Sequence, residues 1–277
     1  MSNPVFTSSR AFQDPVQQRG NQAQGYDYGT AASAATLENM YAQPSATPVQ
    51  TNRLTYDDVI VKTGGLLALV VIAAAVSWQL SPAMPGLYIA GAIIGFVLAL
   101  INIFKKSPSP ALIMGYAVAE GVFLGGLSVF LDTLYPGVAM QALIATVVTF
   151  AVVLIGFKSG KLRTSPKLTK MFFIAMISYA AFSLVNLGLM LFGATDAAWG
   201  LRSGVEIADL PLGVIIGAVA VLLASYSLVM DFEQIKHGVE VGVARNLAWT
   251  FAFGLVVTLV WLYVEFLRIF AILAGRD

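Results

Sequence analysis

PLGVIIGAVAVLLASYSLVMD, residues 211–231, runs from a proline to an aspartate with no charged side chain between them. A helix rises about 1.5 Å per residue, so such a run crosses the roughly 30 Å hydrocarbon core of a bilayer. Six further runs are long and predominantly apolar, at about 64–80, 86–104, 111–131, 138–157, 171–193 and 247–274. Residues 244–254, at the start of the last of these, read alternatively as an interfacial lead-in rather than part of the span. Pro82, Pro85, Pro108, Pro110, Pro136, Pro166 and Pro211 fall between or at the edges of the runs. Proline starts or stops a helix and is costly inside one, so the spans are expected to be unbroken. That speaks against a transporter with unwound mid-membrane helices. The expected fold is therefore an all-α integral membrane protein of seven transmembrane helices.

Composition agrees. Charged residues make up 11% of the 277, less than half the roughly 25% of soluble chains, and mean hydropathy is +0.79. The net charge of +1 supplies no basic field for nucleic acid. There is no cysteine and a single histidine, His237, which removes thiolate chemistry and metal sites built on several imidazoles. No cofactor is expected. Residues 1–53 differ from the rest, being rich in Gln, Ala, Ser, Thr, Pro, Asn and Gly, and read as a disordered cytoplasmic tail before a membrane domain at 54–277. A binding segment around Tyr26, Tyr28 and Tyr41 is the rival reading of that tail. Thr55 and Asp58 have the spacing of a capping box that starts the first helix.

Lysine and arginine fall on one side. Arg10, Arg19, Arg53 and Lys62 precede the first span, and Lys105 and Lys106 follow the second. Lys158, Lys161, Arg163, Lys167 and Lys170 follow the fourth, and Lys236 and Arg245 the sixth. Only Arg202, Arg268 and Arg276 remain for the other side, out of 16. The positive-inside rule then places the N-terminus in the cytoplasm and the C-terminus outside, as an odd number of spans requires. The pairs Gly91/Gly95, Gly121/Gly125 and Gly213/Gly217 have the spacing that lets helices approach closely, within the chain or across a dimer.

Ionisable groups inside spans cost about 2.5–3.5 kcal/mol on insertion scales and mark candidate sites. Glu120 lies in the third run, about 14 Å in from Ala111. Asp231 closes the sixth, and Glu265 lies in the seventh with Arg268 three residues on, on the same helix face. Glu265 is read either as the partner of Arg268 or as facing another carboxylate. Glu233, with Lys236 and His237 one turn on, reads as ordinary solvated helix pairing.

Asp231-Phe232-Glu233-Gln234-Ile235-Lys236-His237 resembles the Asp-containing motif of the Bax inhibitor family, the transmembrane Bax-inhibitor-motif proteins that include bacterial YccA-like members. Leu262-Tyr263-Val264-Glu265-Phe266-Leu267-Arg268 looks like the family's closing signature, with Glu265 where Asp is usual. The resemblance covers about residues 55–277. It implies a central last helix wrapped by the other six, and a pH-sensitive calcium leak governed by an acid on each of the last two helices, here Asp231 and Glu265. Two carboxylates in a dry site cannot both ionise cheaply, so they share a proton that joins the helices. Once ionised they could offer oxygens to Ca²⁺. The two acids are 34 positions apart, longer than the family's usual gap, and alignment from the C-terminus puts Thr258 opposite Asp231 instead. Glu120 is the substitute partner by depth.

Two other classes compete. A non-conducting membrane regulator that binds a membrane protease or stress-response partner fits the long polar tail. An intramembrane enzyme or photoreceptor fits poorly, since the last lysine is Lys236 and the one histidine has no nucleophile motif beside it. The resemblance favours a bacterial plasma membrane, with the lipid bilayer, calcium or another cation, and a membrane protein as candidate partners.

Overall fold

A computed structural model describes residues 52–105, 107–194, 199–207 and 209–275. The tail proposed for 1–53, apart from Asn52 and Arg53, lies outside the described residues, as do Lys106, Arg276 and Asp277.

Seven long helices account for most of the described residues. They are α1 Tyr56–Leu80, α2 Leu87–Phe104, α3 Pro110–Leu134, α4 Val138–Lys158, α5 Pro166–Leu191, α6 Leu212–Val241 and α7 Ala248–Ala274. All seven are long and apolar enough to cross a bilayer. Consecutive spans run antiparallel, through short connections everywhere except between α5 and α6. The α2–α3, α4–α5 and α6–α7 loops therefore share one end of the bundle, the lysine-rich end. Large apolar side chains point outward along α2, α4 and α5, Ile94, Ile144 and Ile177 among them. So much exposed apolar surface suits lipid rather than water.

The boundaries show which local signals act. Thr55 caps α1 as its spacing predicts, accepting from the Asp58 N–H while the Asp58 side chain accepts from the Thr55 N–H. α1 thus begins eight residues before the apolar run, which starts at Gly64. Pro110 and Pro166 occupy first helical positions, where a missing N–H costs nothing. α6 departs most from expectation. It does not end near Asp231 but continues to Val241, where Gly242 adopts a left-handed conformation at the C-cap. Between α5 and α6 lie a single helical turn, Leu201–Gly204, and a two-residue antiparallel pair, β1 Glu206–Ile207 with β2 Leu210–Pro211. Residues 244–254 include a short 3₁₀ turn, Arg245–Leu247, that leads straight into α7.

The last helix is central. α7 packs on α6, α4, α1 and α3. α2 lies behind α3, and α5 stands at the edge against α6, reaching α7 through the Tyr179 side chain. The glycine pairs are used inside the chain. A Cβ on Gly121 would fall 2.5 Å from the Val70 carbonyl, and one on Gly217 2.5 Å from Ile269. At the lysine-rich end the segment before α1 is strapped to the α6–α7 loop. Leu54 N–H donates to the Val243 carbonyl, Arg245 N–H to that of Asn52, and the Arg245 guanidinium grips Asp58 Oδ1 at 2.7–2.8 Å.

Candidate functional site

Asp231 lies not at the end of α6 but about ten residues, or 15 Å, before it. Thr258 lies about ten residues after the start of α7. Antiparallel neighbours with matched offsets meet at one level. The Thr258 hydroxyl donates to Asp231 Oδ2 at 2.8 Å, with the Gly254 carbonyl at 3.2 Å as the alternative acceptor. Ser227 Oγ, one turn before Asp231, stands 3.5 Å from the same threonine oxygen.

Asp231 also lines a cavity of about 340 Å³ whose walls include Asn102, Lys105, Gln234, Thr250 and Gly254. Lys105, Pro108 and Leu247, which belong to or border the loops of the lysine-rich end, line the same cavity, with Asp231 deeper in the bundle. Among the described residues no lysine, arginine or histidine forms an ion pair with Asp231. A carboxylate half-buried beside a cavity, held by one hydroxyl, keeps acceptor capacity for a cation or a proton.

Glu265 is placed quite differently. Seven residues after Thr258, it lies about 10 Å further along α7. It is 1% exposed and paired with Arg268; the Tyr179 hydroxyl donates to it, and so does the Trp261 indole at 3.2 Å. Arg268 also reaches the Tyr179 oxygen at 3.1 Å. The structure therefore does not bring Asp231 and Glu265 together. It forms the Arg268 pairing for Glu265, and for Asp231 the threonine that alignment from the C-terminus supplies. Depth is the physical reason: a straight α7 cannot lower Glu265 to the level of Asp231.

Glu120 is at the right depth but on another seam. Its carboxylate sits over Gly95 of α2, where an added Cβ would be 2.8 Å from Oε1, with the Tyr116 hydroxyl as a hydrogen-bond partner. α3 packs on α1, α2, α4 and α7 rather than on α6, so Glu120 is not a partner of Asp231 either.

Two residues gain roles that the sequence did not show. Arg202, counted as a loop charge, is 4% exposed; it donates to Ser183 at 2.8 Å and lies over the Tyr179 and Phe182 rings. Glu233 does not pair with Lys236, which meets Glu240 at 3.6 Å instead. Glu233 accepts from the Thr164 N–H at 3.2 Å and from the Thr164 hydroxyl, fastening the α4–α5 loop to α6. Arg202 left no signal in the sequence, and the Glu233 contact joins residues 69 positions apart, which no local spacing encodes.

These features define a class: a seven-helix integral membrane protein built around its last helix, with a carboxylate-lined cavity at one end and a buried ionic clasp toward the other. A family model described as Bax inhibitor 1 like matches residues 3–275, and the chain belongs to that family. The match takes in nearly all of the polar N-terminal stretch, which the motif resemblance alone did not cover. A search of the curated proteins returned no match. The family is not one of enzymes, and among the described residues no group of three His, Asp or Glu could hold a metal ion.

Proposed function

We propose that the protein is a pH-sensitive cation leak, with calcium as the transported ion and Asp231 as the group that binds it. The observation that carries this reading is the Asp231 carboxylate, beside a cavity of mixed polar and apolar lining, bonded to a hydroxyl and in an ion pair with no base among the described residues. A cation entering from the lysine-rich end would pass the Lys105 ammonium, which also lines the cavity, and then meet one carboxylate and the neutral oxygens of Gln234, Asn102 and Thr250. Ca²⁺ accepts such oxygen ligands, and one formal charge makes a weak site that lets the ion go again, as conduction requires. Protonation removes that charge, so cation binding falls with pH. The shared proton between two acids is replaced here by competition for one: Thr258 and the cation contend for the same carboxylate. Beyond Asp231, buried Leu262, Glu265 and Leu267 fill the bundle, so this is a closed form. Glu265 and Arg268 act as the clasp that keeps it closed, and Glu120 holds α2 to α3.

The test is calcium flux into liposomes containing the purified protein across a pH series. Flux should vary with pH and lose that variation in Asp231→Asn. Flux equal to empty vesicles at every pH would favour the non-conducting regulator. The lysine and arginine distribution supports a cytoplasmic N-terminus, and the resemblance to YccA-like members favours a bacterial plasma membrane. A reporter fused after Asp277 should then be detected outside; a cytoplasmic signal would reverse that orientation.

A further inference from the structure

α1 and α4 both pack on α7 but scarcely touch each other. The crevice between them, about 760 Å³, is floored by α3 and α7 and walled by side chains such as Leu67, Val71, Leu143 and Val147. From Leu67 to Gln79 it follows α1 for about 18 Å. An apolar slot of this length, between two helices whose outer faces meet lipid, has the shape of a site for an acyl chain.

One end of the slot is not apolar. Where α1 ends and α4 begins, it is lined by Trp78, Gln79, Ser128, Asp132 and Tyr263. Asp132 Oδ1 accepts from the N–H groups of Gly137 and Ala139 at 3.0 and 3.2 Å, which fixes the carboxylate at the turn into α4. An ionised carboxylate can accept about four hydrogen bonds, so half its capacity is left. No lysine, arginine or histidine pairs with it among the described residues. Trp78 and Gln79 add an indole N–H and an amide NH₂ beside it.

We propose that the α1–α4 crevice is a lipid site selective for phosphatidylethanolamine. One acyl chain lies in the slot, the headgroup ammonium donates to Asp132, and the phosphate accepts from Trp78 and Gln79. A headgroup with no cation would bring a second negative charge to Asp132 and gain nothing there. This site is distinct from the Asp231 cavity and does not depend on the leak.

The experiment is native mass spectrometry of the full-length protein, delipidated in detergent and offered phosphatidylethanolamine or phosphatidylglycerol with the same acyl chains. The wild type should retain phosphatidylethanolamine about tenfold better, the size of one charge-assisted hydrogen bond. Asp132→Asn keeps an oxygen for the Gly137 and Ala139 N–H groups, and should reduce that preference to parity without weakening phosphatidylglycerol. Leu143→Trp, which fills the slot from a lipid-facing wall, should weaken both. Equal retention of the two lipids by the wild type, a preference that survives Asp132→Asn, or retention unchanged by Leu143→Trp would each overturn the assignment.

Discussion

α7 carries two polar positions two turns apart, and they are solved in opposite ways. At Thr258 the neighbouring acid is Asp231, half-buried beside a cavity and held by one hydroxyl. At Glu265 the acid is enclosed and met by Arg268, Tyr179 and Trp261, with Arg202 just behind. A carboxylate in a dry site has to be neutralised by its surroundings, and one beside water need not be. The difference teaches that an acid on each of the last two helices does not amount to a pair. One is free to exchange a partner, and the other has spent its capacity on holding α5 and α7 together.

Replacing Glu265 by Gln should produce the largest change. It leaves Arg268 and Arg202 enclosed without a counter-charge, a loss of about 3–5 kcal/mol for one broken buried pair. Thermal unfolding in detergent should show it as a clear drop in midpoint. Removing both charges together, Glu265→Leu with Arg268→Leu, should recover much of the loss. Thr258→Val comes next, at about 1 kcal/mol for one hydrogen bond. Because valine no longer competes for the carboxylate, added Ca²⁺ should raise the midpoint of this variant more than that of the wild type. An equal rise in both would show that the threonine and the cation do not share Asp231. Lys236→Ala, at an exposed pair with Glu240, should change stability by no more than about 0.5 kcal/mol.

Much of this contrast could be read before any coordinates. Seven apolar runs bounded by prolines gave seven helices, because length and hydropathy dominate inside a bilayer. Asp231, Glu265 and Arg268 stood out because charge inside an apolar run is rare. The extent of α6 was not legible: Phe232 to Val241 carries the charges of a loop, yet it stays helical because Phe232, Ile235 and Gly238 are buried against the bundle. That one end placed Asp231 at the boundary, so depth did not decide among Glu265, Glu120 and the Thr258 that spacing from the C-terminus offers. Arg202 was hidden for a different reason. Its burial depends on where the turn after α5 folds back, which no periodicity encodes.

The most direct measurement of the central claim is calcium flux through the reconstituted wild type and Asp231→Asn across one pH series, with Glu265→Gln alongside in any preparation that remains folded. The wild-type flux should change with pH, the Asp231→Asn flux should be flat, and Glu265→Gln should keep a pH response whatever its level. A pH response that survives in Asp231→Asn and vanishes in Glu265→Gln would contradict the account and hand the sensing role to the buried clasp.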